Sequence, residues 1–198
     1  SIELFSLALA IAPDSADTYN NRATAFHEIK KFKEALNDCD KAICLQPGYA
    51  EAFYNRGIVL KGLKNFNEAA KDFTQAIKYR SDYHSAYNNR GIIFFELGNL
   101  TAAIDDYNMA IALKANDQEF FNNRGIAFYE LGQWEKALAD FNTAISLKHN
   151  YGEAFNNRGN VFLELRRFKE ALADYNKTIS IWPDCSDAIN NRGTVYQK

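Results

Sequence analysis

The sequence predicts an all-α solenoid, in which antiparallel helix pairs stack one on the next around an extended core. Three observations predict it. The triplet Asn-Arg-Gly, or a near copy, recurs with its arginine always thirty-four residues further on, at Arg22, Arg56, Arg90, Arg124, Arg158 and Arg192. A fixed period of this length marks a chain of stacked units rather than a single globule. Inside each period the apolar residues follow two successive patterns of helical spacing. The only three prolines, Pro13, Pro47 and Pro183, share one phase of the period, as punctuation between units would.

The elements follow in order. Residues 1–15 read as the second helix of a partial unit, with Phe5, Ala8 and Leu9 as its apolar face. Its start (SIELFSLALAIA) is as apolar as a signal-peptide core, but it lacks a basic lead and falls in phase with the later helices. Complete units are expected at 16–49, 50–83, 84–117, 118–151 and 152–185. In 84–117 the first helix offers Tyr87, Gly91 and Phe94, and the second Ala103, Tyr107, Ala110 and Ile111. The break between them, Gly98-Asn99 here and Gly132-Gln133 in the next unit, suits a helix C-terminus. Asp14, Asp82, Asp117 and Asp184 stand at or near the junctions, where caps and first-turn carboxylates belong. Residues 186–198 read as the first helix of a further partial unit, with Ile189, Gly193 and Tyr196.

The chain therefore reads as a piece of a longer protein whose two ends are the halves of one repeat. Weak head-to-tail association of copies is expected, eased by the small residues Ser1 and Ala8 opposite Gly193. Leu4 opposes it, because it occupies the phase where Arg192 would seek an aspartate.

Composition narrows the function. Charged residues make up 24% of the chain and nearly cancel, leaving a net charge of −2, which argues against nucleic acid and against a basic membrane-binding surface as partners. No apolar run reaches the length of a membrane span. Cys39, Cys44 and Cys185 are odd in number and form no Cys-x-x-Cys pair, so they read as reduced thiols of a cytoplasmic protein. His27, His84 and His149 fall in different phases and should not converge. No metal-ligand cluster, phosphate loop or nucleophile–base pair is legible, and neither catalysis nor a cofactor is expected within residues 1–198.

Every complete unit carries an aspartate sixteen residues after its arginine, giving Arg22 with Asp38, Arg56 with Asp72, Arg90 with Asp106, Arg124 with Asp140, and Arg158 with Asp174. The spacing joins the middle of one helix to the middle of the next. A guanidinium near a core needs a carboxylate, so structural ion pairs are the economical reading. Pairing of an aspartate with the next unit's arginine, and an arginine ladder for anionic ligands, are the alternatives.

These residues resemble the tetratricopeptide repeat, a helix-turn-helix unit of thirty-four residues, over the whole chain. Its aromatic near the start of the first helix matches Tyr19, Phe53, Tyr87, Phe121 and Phe155, and its close-approach glycine matches Gly57, Gly91, Gly125, Gly159 and Gly193, with Ala23 in the first unit. Its small second-helix residues match Ala35, Ala69, Ala103, Ala137 and Ala171, then Ala42, Ala76, Ala110 and Ala144, with Thr178 departing. The resemblance implies a right-handed superhelix whose first helices line a concave groove. The arginine phase departs from it, since the family more often places a leucine there.

On that resemblance the groove is lined by Asn21, Asn55, Asn89, Asn123, Asn157 and Asn191, with a second line at Asn20, Asn88, Asn122, Asn156 and Asn190, broken by Tyr54. Asparagine is a mediocre helix former, so eleven of them in mid-helix phases need a compensating role. Their amides offer a donor and an acceptor to a peptide backbone. Packed helices lie roughly 8–10 Å apart and an extended peptide rises about 3.3 Å per residue, so one asparagine could meet every third residue or so. The alternative is that the amides only bridge neighbouring helices. A turn further on stands a central apolar patch, Ile58, Ile92 and Ile126 with Phe95, Tyr129 and Leu163, beside Glu96 and Glu130. A patch of this kind would bury ligand side chains, and the carboxylates would suit a basic ligand. Chaperone-tail-binding members hold a C-terminal carboxylate with basic residues, whereas the corresponding phases here carry Asn20, Glu51, Asn89 and Glu119.

The expected function is therefore a protein-interaction module that binds a peptide segment of a partner. The combination of Asn-Asn-Arg-Gly with Glu-Ala-Leu-Ala-Asp-Tyr is also similar to arrays in bacterial proteins related to O-linked N-acetylglucosamine transferase. That likeness implies, as alternatives, the substrate-recruiting array of a larger glycosyltransferase-like enzyme or a self-assembling scaffold.

Overall fold

A computed structural model describes residues 2–197, and the Ser1 end of the expected head-to-tail contact lies outside them. Among the described residues there are twelve helices and no strand. The chain divides into two compact units, 1–99 and 100–198.

The first unit holds α1 (Ile2–Ile11), α2 (Ala16–Glu28), α3 (Phe32–Leu45), α4 (Ala50–Gly62), α5 (Phe66–Tyr79) and α6 (His84–Glu96). Each packs on its neighbour in sequence, and α2 meets α4 as α4 meets α6. The second holds α7 (Leu100–Leu113), α8 (Gln118–Glu130), α9 (Trp134–Leu147), α10 (Gly152–Glu164), α11 (Phe168–Ile181) and α12 (Ser186–Tyr196), with α8 against α10 and α10 against α12. No described helix is long and apolar enough to cross a membrane.

Complementary sizes set the packing within a helix pair. A Cβ built on Gly57 would lie 2.8 Å from a ring carbon of Phe73, and one on Gly125 or Gly159 would lie 2.7 Å from Phe141 or Tyr175. The rings thus occupy the space that a side chain on the first helix would need. Beneath them, Ala35, Ala69, Ala137 and Ala171 are wholly buried, which lets the helices approach.

Turns inside the pairs repeat a single device. Lys30, Lys64, Gly98, Gly132 and Arg166, all at one phase, take positive φ, and the following amide returns to the helix, as when Asn99 N–H donates to Phe94 O at 2.8 Å. This is a left-handed C-terminal cap, for which glycine is the least strained residue.

The junction aspartates correct one sequence expectation. Only Asp117 caps a helix, its carboxylate accepting from Glu119 N–H at 3.2 Å, and Ser15 caps α2. Asp14, Asp82 and Asp184 lie in the preceding turn instead, and Tyr49, Tyr83, Tyr151 and Cys185 stand at the cap positions without a side-chain bond.

Candidate functional site

The repeated arginine anchors each first helix. Arg22, Arg56, Arg124 and Arg158 form two-pronged bonds to Asp38, Asp72, Asp140 and Asp174, with Nε and Nη2 each 2.6–2.8 Å from a carboxylate oxygen. Arg90 belongs to the first unit and Asp106 to the second. Aromatic rings on the same helix flank the cations, as Phe121 and Phe128 flank Arg124 at 5.7 and 5.8 Å.

Each arginine also reaches backwards, a contact that sequence reading missed. Nη1 donates to the residue sixteen before it, on the preceding second helix: Ser6, Asp40, Thr74, Asn108, Asn142 and Asn176, at 2.6–3.0 Å. A single guanidinium therefore ties its own repeat to the one before. These partners share one phase and an oxygen acceptor but are of four residue types, so only the period could have revealed them.

Burial governs the titration of this network. It pushes the Asp72 and Asp174 carboxyls up, and their arginines pull them back down in part. The Arg56 guanidinium moves upward because it is bonded to Asp72, with burial opposing.

The asparagine lines bond to one another across neighbouring first helices. Asn55 Nδ2 donates to Asn20 Oδ1 at 2.8 Å and Asn157 Nδ2 to Asn122 Oδ1 at 3.2 Å, both across thirty-five residues. Tyr54 breaks the second line yet keeps the bond, since its hydroxyl accepts from Asn89 Nδ2 at 3.2 Å. Asn191 reaches Asn160 Oδ1 at 2.9 Å instead, and the buried Oδ1 of Asn156 is left without a partner.

The two lines therefore present different surfaces. Asn88 and Asn122 are buried, at 3% and 0% exposure, and have no surface to offer a ligand. Asn89 is buried too, its amide nitrogen bonded to Tyr54 and Ser85 O and its oxygen accepting from Lys61 Nζ. Asn55, Asn123, Asn156 and Asn157 are half-buried, and Asn21 is exposed. Asn55 and Asn157 spend their nitrogens on the preceding repeat, and among the described residues no group donates to their Oδ1.

The apolar positions form small recesses beside these amides. In the second unit Ile126, Tyr129 and Phe141 enclose about 130 Å³ with Asn157 and Asn160, and Glu130 stands at the edge. Ile58 lines a corresponding recess in the first unit. Ile92 and Phe95 are half-buried and Glu96 is exposed, all on α6. Burial, then Glu164 and Glu130, push the Tyr129 phenol up. Among the described residues no group of three His, Cys, Asp or Glu side chains could hold a metal.

Helix pairs of fixed period, with polar side chains on adjoining first helices, define a helical-repeat protein. The chain belongs to the tetratricopeptide repeat family: models of that repeat match residues 16–49, 54–118, 127–166 and 152–185. No curated protein matches it. Among solved structures it is similar to YrrB, a TPR protein with an unusual peptide-binding site, at 24% identity and TM-score 0.79 over 98% of this chain and 100% of that one. It is also similar to Cut9 in its complex with Hcn1, at 19% identity and TM-score 0.83 over 99% of this chain and 39% of that one. A third is the first TPR of Spaghetti (RPAP3) bound to the HSP90 peptide SRMEEVD, at 25% identity and TM-score 0.57 over 58% and 90%.

Proposed function

We propose that the chain is a protein-interaction module whose adjoining first helices bind an extended segment of a partner protein. The observation that carries this reading is that half-buried Asn55 and Asn157 each donate Nδ2 to the preceding repeat, with no described donor on Oδ1. Each amide is oriented by its bond to the preceding repeat, so its acceptor is held ready for a backbone N–H of the ligand. Asn21 offers its amide at the same phase. The apolar recesses beside these amides take side chains, and Glu96 and Glu130 favour a basic ligand. Support also comes from the RPAP3 domain of this family, which is bound to a peptide.

Twelve-residue peptides selected from a random library on the intact chain supply the test. Asn157→Ala should weaken a peptide seated on the second unit by about 2–13-fold, the worth of one hydrogen bond. Asn157→Asp keeps an acceptor but loses the N–H that orients it on Asn122 Oδ1, so it should also bind more weakly than the parent. Full affinity in both Asn55→Ala and Asn157→Ala, with loss on altering exposed second-helix residues such as Lys71, would overturn the reading.

A second reading rests on exposed apolar residues at α1 (Leu4, Leu7 and Ile11) and α12 (Ile189 and Tyr196). These favour weak head-to-tail association of copies, which sedimentation at rising concentration would detect and a strict monomer would refute.

A further inference from the structure

The first repeat lacks a ring that its siblings have. At the phase of Cys39 stand Phe73, Tyr107, Phe141 and Tyr175, all buried. Across the helix pair, Ala23 replaces the glycine against which those rings pack. The Cys39 sulfur and the Ala23 methyl together replace only two of six ring atoms.

The missing volume is not closed by its neighbours. A recess of about 210 Å³ lies among α2, α3 and α4, with the buried Ala23, Cys39 and Val59 at its floor and His27, Tyr54 and Ile58 as its walls. The recess at the same phase of the second unit, where Phe141, Ile126 and Tyr129 are larger than Cys39, Thr24 and His27, measures about 130 Å³. An apolar cavity of ~150 Å³ is enough to hold benzene. Burial pushes the Cys39 thiol up to about 12, so it stays neutral and forms an apolar floor rather than a nucleophile.

We propose that this recess takes one aromatic side chain of the bound segment, which supplies from outside the ring that the first repeat omits. The inference rests on the peptide-binding reading above and names its anchor. A ring fits better than an aliphatic chain because the space corresponds to that of Phe73, Phe141 and Tyr175 in their own repeats. The His27 and Tyr54 rings add edge and face contacts. Asn55 belongs both to this recess and to the ladder, so the anchor and the backbone contact meet at one residue.

The test follows the Val59 and Ile58 methyl resonances of the intact chain during titration with N-acetyl-phenylalanine amide, N-acetyl-leucine amide and N-acetyl-alanine amide. The phenylalanine derivative should give saturable shifts and bind ~10-fold or more tightly than the alanine derivative. Ala23→Gly with Cys39→Phe restores the pattern of the sibling repeats and should abolish the shifts. If that variant fails to fold, Thr24→Ile with His27→Tyr, which copies the second unit at partly exposed positions, should abolish them instead. Unchanged shifts in the folded variant, tighter binding of the leucine derivative, or no saturable shift in the parent chain would overturn the proposal. These amides read the recess without an extended backbone, whereas Asn55→Ala and Asn157→Ala read the ladder, so either proposal can fail alone.

Discussion

Removing the carboxylate of Asp140 is the most informative perturbation of the repeat. In Asp140→Ala the Arg124 guanidinium loses two bonds, of 2.8 and 2.7 Å, and keeps only Asn108 and the flanking rings of Phe121 and Phe128. The Asp140 side chain is 6% exposed and that of Arg124 20%, so the cation left behind is largely cut off from water. Breaking a buried pair from one side costs about 3–5 kcal/mol, and the residual exposure of Arg124 places this case near 3. For a chain of this size that corresponds to a fall in Tm of roughly 6–12 °C. Thermal and urea unfolding by circular dichroism measures it, and amide exchange should show the loss concentrated in α8, α9 and the helices they touch, as nearest-neighbour coupling requires. Replacing both partners, Arg124→Met with Asp140→Leu, should recover most of the stability, because no charge remains unpaired. A melting curve for Asp140→Ala within a degree of the parent would refute the structural role of the pair.

Other predictions follow from the same geometry. Gly125→Ala should destabilise by about 1–3 kcal/mol through collision with the Phe141 ring, offset by up to ~1 kcal/mol of helix propensity, whereas Gly193→Ala, with nothing within 4 Å, should be neutral or slightly stabilising in the same melts. Burial raises the Tyr49 and Tyr83 phenols from 10 to about 12, so the folded chain holds these protons after the unfolded chain has released them. Stability present below pH 10 should therefore be lost progressively between pH 10 and 12, and a flat Tm across that window would count against the burial of these rings. The peptide SRMEEVD should bind no better than a scrambled control in calorimetry, because Glu51 and Glu119 stand where chaperone-tail binders carry basic residues; micromolar binding that disappears on amidating its C-terminus would contradict this.

The period made most of the fold legible, because one helix-pair pattern recurs and each copy corroborates the others. The caps were less legible. Asp14, Asp82 and Asp184 have the right chemistry one position too early, and the backbone places Ser15, Tyr83 and Cys185 at the caps instead. The spacing of sixteen exposed the bidentate pairs, but not the backward bonds to residues as different as Ser6, Asp40 and Asn108. For the asparagines, sequence reading turned two adjacent lines toward a ligand. Consecutive helix residues point about 100° apart, so Asn21, Asn55, Asn123 and Asn157 of one line keep exposed surface while Asn88 and Asn122 of the other turn inward, and Asn89 is buried through its bonds to Tyr54 and Lys61. Cys39 invites a reading by its thiol chemistry, which hides its phase with Phe73, Phe141 and Tyr175.

N-methyl scanning of a selected peptide tests backbone recognition by oriented asparagine oxygens. Each backbone amide of the peptide is methylated in turn and affinity for the intact chain is measured by calorimetry. Methylation should weaken binding by about tenfold at amides spaced roughly three residues apart, and Asn157→Ala should remove the sensitivity of the amide it serves. Peptides that tolerate methylation at every position, or that keep the same sensitive amides in Asn55→Ala and Asn157→Ala, would contradict the account.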